Sequence, residues 1–271
     1  MRFASRIFAL AGLLAFPPTW AGDDERLNYA FASQLGSGIY NVSGRTVQVY
    51  RIPFTLPARK AEGTVPGFRV NLPLCFGFFD FDDTEADQAG ADEHVGTASV
   101  VPGIAVEIGV LRNWSLQPFV DLGIARELGG SGDAYVYAAG VKSVATFRAG
   151  PHELLLGNRI VYVGEHTPGT KIDEDYATLE TAFEVRRPLG WAVKSHGLDW
   201  SVYVISYLYL EPTEVWIKEE PLDVGAQYEV GLTVGTQVPA GLWLFEVPRI
   251  GLGYRFGDGV SAVRVLVGGA F

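Results

Sequence analysis

Apolar and polar side chains alternate along most of this chain with a period of two. Successive side chains of a β-strand point to opposite faces, so this period predicts strands that are apolar on one face only. One stretch sets Ile104, Val106 and Ile108 against Ala105 and Glu107. The pattern predicts twelve strands: residues 27–42, 45–56, 67–78, 97–110, 114–126, 134–148, 152–165, 176–187, 198–210, 224–238, 243–256 and 261–271.

Three of these segments are less regular than the others. Residues 27–42 fit a strand or a short helix, and the sequence leaves both open. The alternation in residues 152–165 does not fix which side chains share a face. Residues 198–210 are apolar on both faces and carry a tyrosine ladder: Tyr203, Tyr207 and Tyr209.

The chemistry of the polar face distinguishes a barrel from a sandwich. A soluble sandwich shows its polar face to bulk water, whereas here that face combines Gly and Ala with isolated charges of both signs. Such a face suits a confined, hydrated lumen, and the continuous apolar face suits lipid. The pattern predicts an all-β fold, a transmembrane antiparallel β-barrel of about 12 strands, with a soluble sandwich or lipocalin-like fold as the alternative. The candidate lumen-lining charges are Arg69, Glu107, Asp121, Lys142, Glu180, Glu184, Arg186, Glu229, Arg249, Arg255 and Arg264.

Aromatic residues near the strand ends are typical of the interfacial girdles of a membrane barrel. The connections test the same hypothesis, because such barrels carry longer loops outside and short periplasmic turns. The acidic connection 81–96 fits an outer loop, but 57–66 and 189–197 are long for periplasmic turns. A predicted outer connection also spans 211–222. The predicted girdle residues are Tyr50, Trp114, Tyr135, Tyr176, Trp200, Trp243 and Tyr254.

Composition excludes several classes of protein. The formal net charge of −10 argues against a nucleic-acid partner. The single cysteine, Cys75, has no partner for an internal disulfide. No segment after the N-terminus offers the ~20 uninterrupted apolar residues of a spanning helix.

Residues 1–21 have the pattern of a secretory signal peptide. Arg2 and Arg6 precede a short apolar core, and a Pro-Pro breaker leads to the small residue Ala21. Residues 22–271 are then expected to form the barrel, with no passenger domain.

The last eleven residues place Val263, Val265, Val267 and Phe271 on one face of a strand. A terminal strand that ends on an aromatic residue resembles bacterial outer-membrane β-barrels. The resemblance implies that Phe271 is the assembly signal read by the barrel assembly machinery.

Four short strings extend this resemblance: LGSGIY at 35–40, VYRIPF at 49–54, LPL at 72–74 and GFFDF at 77–81. Together they resemble the solitary outer-membrane autotransporter-like β-barrel family. The resemblance implies a twelve-stranded translocator-type barrel without a secreted passenger, located in the bacterial outer membrane. Outer-membrane lipid, lipopolysaccharide and the assembly machinery are the implied partners. The family offers no catalytic motif to transfer.

Catalytic chemistry has little support in the sequence. An outer-membrane phospholipase or deacylase is the alternative function, and Ser195 with His196 would carry it. The four histidines, however, fall in or beside predicted connections: His94, His152, His166 and His196. The expectation is no enzyme activity and no cofactor.

The acidic run at residues 80–93 fits a solvated outer loop or a cation-bridging segment at the lipopolysaccharide surface. The lumen charges fit either a small pore or a salt-bridge network that closes the bore. A closed or narrowly conducting, porin-like barrel is expected, because long Arg and Glu side chains would fill much of the lumen.

Overall fold

The computed structural model describes residues 29–42, 45–59, 61, 65–80, 94–128, 133–168, 173–193, 196–217, 220–236, 241–242, 245–246 and 249–271. The predicted signal peptide, residues 1–21, and most of the acidic run lie outside these residues.

One short helix precedes twelve barrel strands. The helix α1 is Tyr29–Gln34. The strands are β1 Gly38–Val42, β2 Arg45–Arg59, β3 Gly67–Asp80, β4 in two segments (His94–Val100 and Gly103–Leu111), β5 Trp114–Leu128, β6 Asp133–Ala149, β7 His152–His166, β8 Asp173–Val193, β9 His196–Ile217, β10 Glu220–Thr236, β11 Arg249–Gly257 and β12 Val260–Val267. A two-residue ladder pairs Gly241–Leu242 with Phe245–Glu246 between β10 and β11.

The sheet closes on itself. Each strand pairs antiparallel with its sequence neighbours, and β1 pairs with β12 on one side and β2 on the other. Closure gives every strand two neighbours over at least part of its length. The predicted all-β antiparallel barrel of about twelve strands is confirmed. Residues 29–34 form a helix, so the strand predicted over 27–42 is wrong there and the helical alternative is correct.

The fourth strand bends where Pro102 interrupts its hydrogen bonding. Proline has no N–H to donate, so it is tolerated in a sheet only at edges or bulges. Both segments of β4 nonetheless pair with β3 and β5, and the Leu122 N–H donates to the Pro102 carbonyl at 2.9 Å. Gly123 is required at this bulge, because a Cβ there would lie 2.1 Å from the Val100 carbonyl oxygen.

Antiparallel order divides the connections between two ends of the barrel. The loop end carries connections 43–44, 81–93, 129–132, 167–172, 218–219 and 258–259, and the turn end carries 60–66, 112–113, 150–151, 194–195 and 237–248.

Three connection lengths differ from the sequence prediction. The turn predicted at 189–197 shrinks to 194–195, because β8 and β9 continue past Gly190 and Gly197. The one predicted at 57–66 shortens to 60–66. The outer connection at 211–222 is mostly a two-stranded ribbon, paired from Thr213↔Val224 to Ile217↔Glu220. In these segments, pairing with long neighbouring strands extends the sheet past the glycine and proline residues.

The first strand is short because the chain leaves the wall into the lumen before Gly38. Ser37 bridges the two flanking strands: its carbonyl accepts the Val265 N–H at 2.9 Å, and its Oγ accepts the Arg51 N–H at 2.8 Å. Below this point β2 has no described strand on its β1 side. Pro53 and Pro57 lie in that free edge, where a missing N–H costs nothing.

Burial in this barrel is the reverse of that in a soluble domain. Large apolar side chains point outward and are exposed along every face, including Ile39, Val120, Leu122, Ile160, Leu232, Leu252 and Val263. The buried set contains many charged groups, including Glu165, Glu184, Asp199, Glu229, Arg249 and Arg255. The core of this protein is therefore its lumen.

Candidate functional site

The helix α1 lies inside the barrel against β6 and β7. Its backbone hydrogen bonds reach the wall at both ends. The Ala30 N–H donates to Glu165 Oε2 at 2.6 Å, which satisfies an unpaired N–H of the first helical turn. Near the other end the Arg51 guanidinium donates to the Ser33 carbonyl, and Arg159 Nη2 donates to Gln34 Oε1 at 2.8 Å.

Apolar and aromatic side chains pack around the helix. Phe31 lies 6.4 Å from the ring of Tyr176 and 6.3 Å from that of Tyr209, centroid to centroid. Val161 and Val163 of β7 belong to the same buried cluster. The helix therefore gives this sector of the lumen a hydrophobic core of its own.

Four of the predicted girdle residues, Tyr50, Tyr135, Trp200 and Tyr254, are exposed on the outer face. The prediction is wrong for Tyr176, which is buried inside and whose hydroxyl lies 3.4 Å from the Ala30 carbonyl. Two girdle residues remain. Trp114 is partly buried and its Nε1 donates to Ser143 Oγ at 2.8 Å, whereas Trp243 lies outside the described residues.

Glu229 is the centre of the most buried polar cluster. Its side chain has no solvent exposure, and it accepts hydrogen bonds from Tyr203 at 2.7 Å and Tyr207 at 2.9 Å. It also forms an ion pair with Arg264, whose side chain is 14% exposed. Gly253 is needed opposite this cluster, since a Cβ there would lie 2.2 Å from the Tyr203 hydroxyl.

Arg255 extends this cluster towards the helix. Its Nε donates to Gln227 Oε1 at 2.5 Å, and its guanidinium lies 3.9 Å from the Tyr207 ring centroid. Such stacking stabilises a buried guanidinium that has no carboxylate partner among the described residues.

A second ionic cluster lies nearer the turn end. Arg186 donates from Nε and Nη2 to the two carboxylate oxygens of Glu184, both at 3.0 Å. Arg249 forms an ion pair with Asp199, and its Nε donates to Thr233 Oγ1 at 2.6 Å. Because Arg249 Nε also lies 3.6 Å from Glu184, the four charges form one network.

The remaining candidate charges lie on β3, β4, β5, β6 and β8. Arg69 pairs with Glu107 at 2.6 Å, and Glu180 pairs with Arg159 at 2.6 Å. The side chains of Asp121 and Lys142 also point inward. Asp121 Oδ1 fills the space that a side chain at Gly103 would need, and Lys142 Nζ lies 4.8 Å from the Phe271 ring centroid. All eleven candidate residues thus face the lumen, and the structure brings them together as small clusters.

Several lumen residues did not emerge from the sequence. Arg51, Arg159, Glu165 and Asp199 contribute to the clusters above, yet the alternation did not single them out. For Arg51 a signal existed, because it follows Val47 and Val49 on the inner face of β2.

Phe271 does not lie where the alternation placed it. The strand β12 ends at Val267, and Gly268 adopts a φ of 113° that turns the last residues into the lumen. The Phe271 ring then packs over Gly157, where a Cβ would lie 2.2 Å from it. The prediction that Phe271 shares the outer face with Val263 and Val265 is therefore wrong, and its role as an assembly signal stays a prediction.

Little space remains beside the helix. The cavity between α1 and the wall, lined by Phe31, Leu35, Tyr176 and Arg255 among others, measures about 20 Å³. A single water needs ~10–15 Å³, so this gap holds about one molecule. The helix therefore leaves little space between itself and the wall in this sector of the lumen.

The other predicted chemistry falls largely outside this site. His152 begins β7, His166 ends it and His196 begins β9. Ser195 lies outside the described residues, so its pairing with His196 stays a prediction. Among the residues that the structure describes, no group of three or more His, Cys, Asp or Glu side chains is arranged to hold a metal ion. No helix in the described part of the chain is long and apolar enough to cross a membrane.

The fold and the lumen define a class: a closed twelve-stranded antiparallel β-barrel with an apolar outer surface and a polar, filled interior. This architecture is typical of outer-membrane proteins. Comparisons with protein-family models and with curated protein sequences find no match for this chain.

Proposed function

We propose that this protein is an integral bacterial outer-membrane barrel of the autotransporter-translocator type without a passenger. In its resting form the barrel is closed by α1 and by the lumen charges. Its role is structural and non-catalytic, and passive passage of solutes requires α1 to leave the lumen.

The reversed burial carries this proposal. Leu122, Leu232 and Leu252 are 65%, 57% and 62% exposed, on three different strands. Exposed apolar patches of this extent are rare on soluble monomers, whereas lipid contact stabilises them. Closure adds support, because a barrel leaves few backbone groups unpaired in hydrocarbon.

The closed resting state follows from the contents of the lumen. Three wall residues hold α1 by hydrogen bonds to its backbone or side chains: Glu165, Arg51 and Arg159. The gap that remains beside the helix holds about one water, which supports a closed bore at this level of the barrel.

A charge placed on the outer belt tests the membrane location. Leu252 lies in the middle of β11 and Leu111 at the turn-end edge of β4, and the two are almost equally exposed at 62% and 64%. In lipid, Leu252→Arg should cost about 2–4 kcal/mol of unfolding free energy, whereas Leu111→Arg should cost about 1 kcal/mol or less. Urea unfolding of the protein in phospholipid vesicles measures both.

A soluble barrel predicts a different result. Exposed substitutions on a soluble protein change stability by about 0.5 kcal/mol or less, so both variants would then resemble the wild type. Equal stability of the two variants, together with failure to partition into vesicles, would overturn the proposal.

A further inference from the structure

A second cavity, of about 370 Å³, opens at the turn end of the lumen. We call it the vestibule, defined by its lining residues Arg148, Gly150, Pro151, His152, Glu153, Arg186, Pro188 and Asp199. Its volume lies within the range of small-molecule sites, ~300–1,000 Å³. It is much larger than the gap beside α1, so it is not a packing defect of the plug.

The strand pairing arranges the vestibule charges in an alternating row. Arg148 on β6 is the cross-strand partner of Glu153 on β7, and Glu153 is the partner of Arg186 on β8. Asp199 on β9 is paired with Pro188, two residues beyond Arg186. Reading around the wall, the signs run positive, negative, positive, negative.

These charges differ in how far they are already satisfied. Arg186 is held by Glu184, and Asp199 by Arg249. Among the described residues, Glu153 forms a polar contact with Arg186 Nη1 alone, at a long 3.4 Å. Arg148 forms no ion pair with any described residue, and the buried His152 Nδ1 has no hydrogen-bond partner among them. The binding capacity that a ligand can reach therefore remains at Arg148 and Glu153, because the His152 Nδ1 is closed off from solvent.

The geometry points to a site for a short zwitterion, with its anionic group on Arg148 and its cationic group on Glu153. A simple anion would lie beside Glu153 and Asp199, and a simple cation beside Arg148 and Arg186, so either meets like charge. Neighbouring strands are about 4.8 Å apart, so the ligand's charges must be separated by roughly 5 Å. A four-carbon ω-amino acid or a dipeptide has this separation. This inference does not depend on the membrane location.

Matched ligands test the site. Isothermal titration calorimetry of the folded protein in detergent compares γ-aminobutyrate with butyrate and butylammonium, each of which lacks one of its two charges. We expect γ-aminobutyrate to bind at least about tenfold more tightly than either, because each control loses one charged hydrogen-bonding group. Butyrate binding as tightly as γ-aminobutyrate would make this an ordinary anion site, and absence of binding by all three would leave the vestibule without a ligand role. Either result overturns the inference.

Two variants assign the roles. Arg148→Gln should weaken γ-aminobutyrate about tenfold and leave butylammonium unchanged, and Glu153→Gln should weaken butylammonium and leave butyrate no weaker. Arg112→Gln is the control, because Arg112 is an exposed arginine in a turn at the same end and does not line the vestibule. An equal loss of affinity in Arg112→Gln would show that the binding is nonspecific and would overturn the site.

Discussion

The Glu229–Arg264 pair allows the energetics of the lumen to be tested against an internal control. Both charges of this pair are buried, at 0% and 14% side-chain exposure. The Arg69–Glu107 pair has the same chemistry in the same lumen, but its side chains are 43% and 25% exposed. The two pairs differ in burial and in the tyrosine hydroxyls that donate to Glu229, so their comparison measures the effect of the whole buried environment.

Glu229→Gln keeps the shape of the side chain and an oxygen that can still accept from Tyr203. The substitution removes the charge that balances Arg264, and breaking a buried ion pair from one side costs about 3–5 kcal/mol. We expect a loss of about 3 kcal/mol, since the lumen can admit water near Arg264. Glu107→Gln should cost less than about 1 kcal/mol, as solvent screens an exposed pair.

Double-mutant cycles turn these losses into coupling energies. Two double variants are compared by urea unfolding in vesicles, followed by tryptophan fluorescence: Arg264→Met with Glu229→Gln, and Arg69→Met with Glu107→Gln. The buried cycle should give a coupling of about 2 kcal/mol or more, and the exposed cycle well below 1 kcal/mol. Equal coupling in both cycles would refute the reasoning, because it would show that the whole lumen is equally hydrated.

Two further predictions concern the plug and the loop end. Cys75 Sγ lies 3.9 Å from the Ala32 carbonyl oxygen, so Ala32→Cys should form a disulfide with Cys75 on oxidation. A reductant-sensitive shift in gel mobility detects this disulfide. Ala30→Cys is the control and should not form one, because the Ala30 N–H meets Glu165 instead. A locked variant that conducts ions as freely as a reduced one would contradict the plug. At the loop end, the N–H groups of Ala226 and Gly225 hold the pKa of the Asp258 carboxyl below its usual range. The resulting stabilisation is present at neutral pH and is lost as the pH falls through the folded-state pKa. Asp258→Asn should therefore have a lower Tm than the wild type at pH 7 and the same Tm in acid. A difference in Tm that persists in acid would contradict this.

The barrel itself was predictable because its two faces meet different surroundings. The period of two survives in the sequence wherever one face of a strand meets the outside and the other meets water or charge. In β11, for example, the exposed Leu252 and Tyr254 alternate with Gly253 and Arg255. Strand ends were less predictable. Beyond the apolar belt nothing requires alternation, so the extension of β8 to Val193 left no signal.

The lumen clusters were predictable by residue type but not by partner. Charges such as Glu184 and Arg249 stand out on an otherwise small-residue face, which marks them as inward. Their pairing depends on the stagger between strands that are distant in sequence. Glu229 meets Arg264 across β11, and no local pattern encodes that distance.

The helix explains where alternation failed. In β7 the inner face carries Val161 and Val163, which pack in the cluster around α1, while the outer face carries Ile160 and Tyr162. A plug that is itself apolar on one side makes the wall behind it apolar on both faces, and this erases the period of two. In β9 two buried segments have this effect: Tyr209 packs against Phe31 of α1, and Tyr207 belongs to a cluster with the C-terminal Phe271, while Leu208 and Leu210 point outward. Strands that are apolar on both faces, inside an otherwise alternating barrel, are therefore themselves a signal: they mark the sector of wall against which a buried segment packs, and here those segments are α1 behind β7 and the C-terminal residues behind β9.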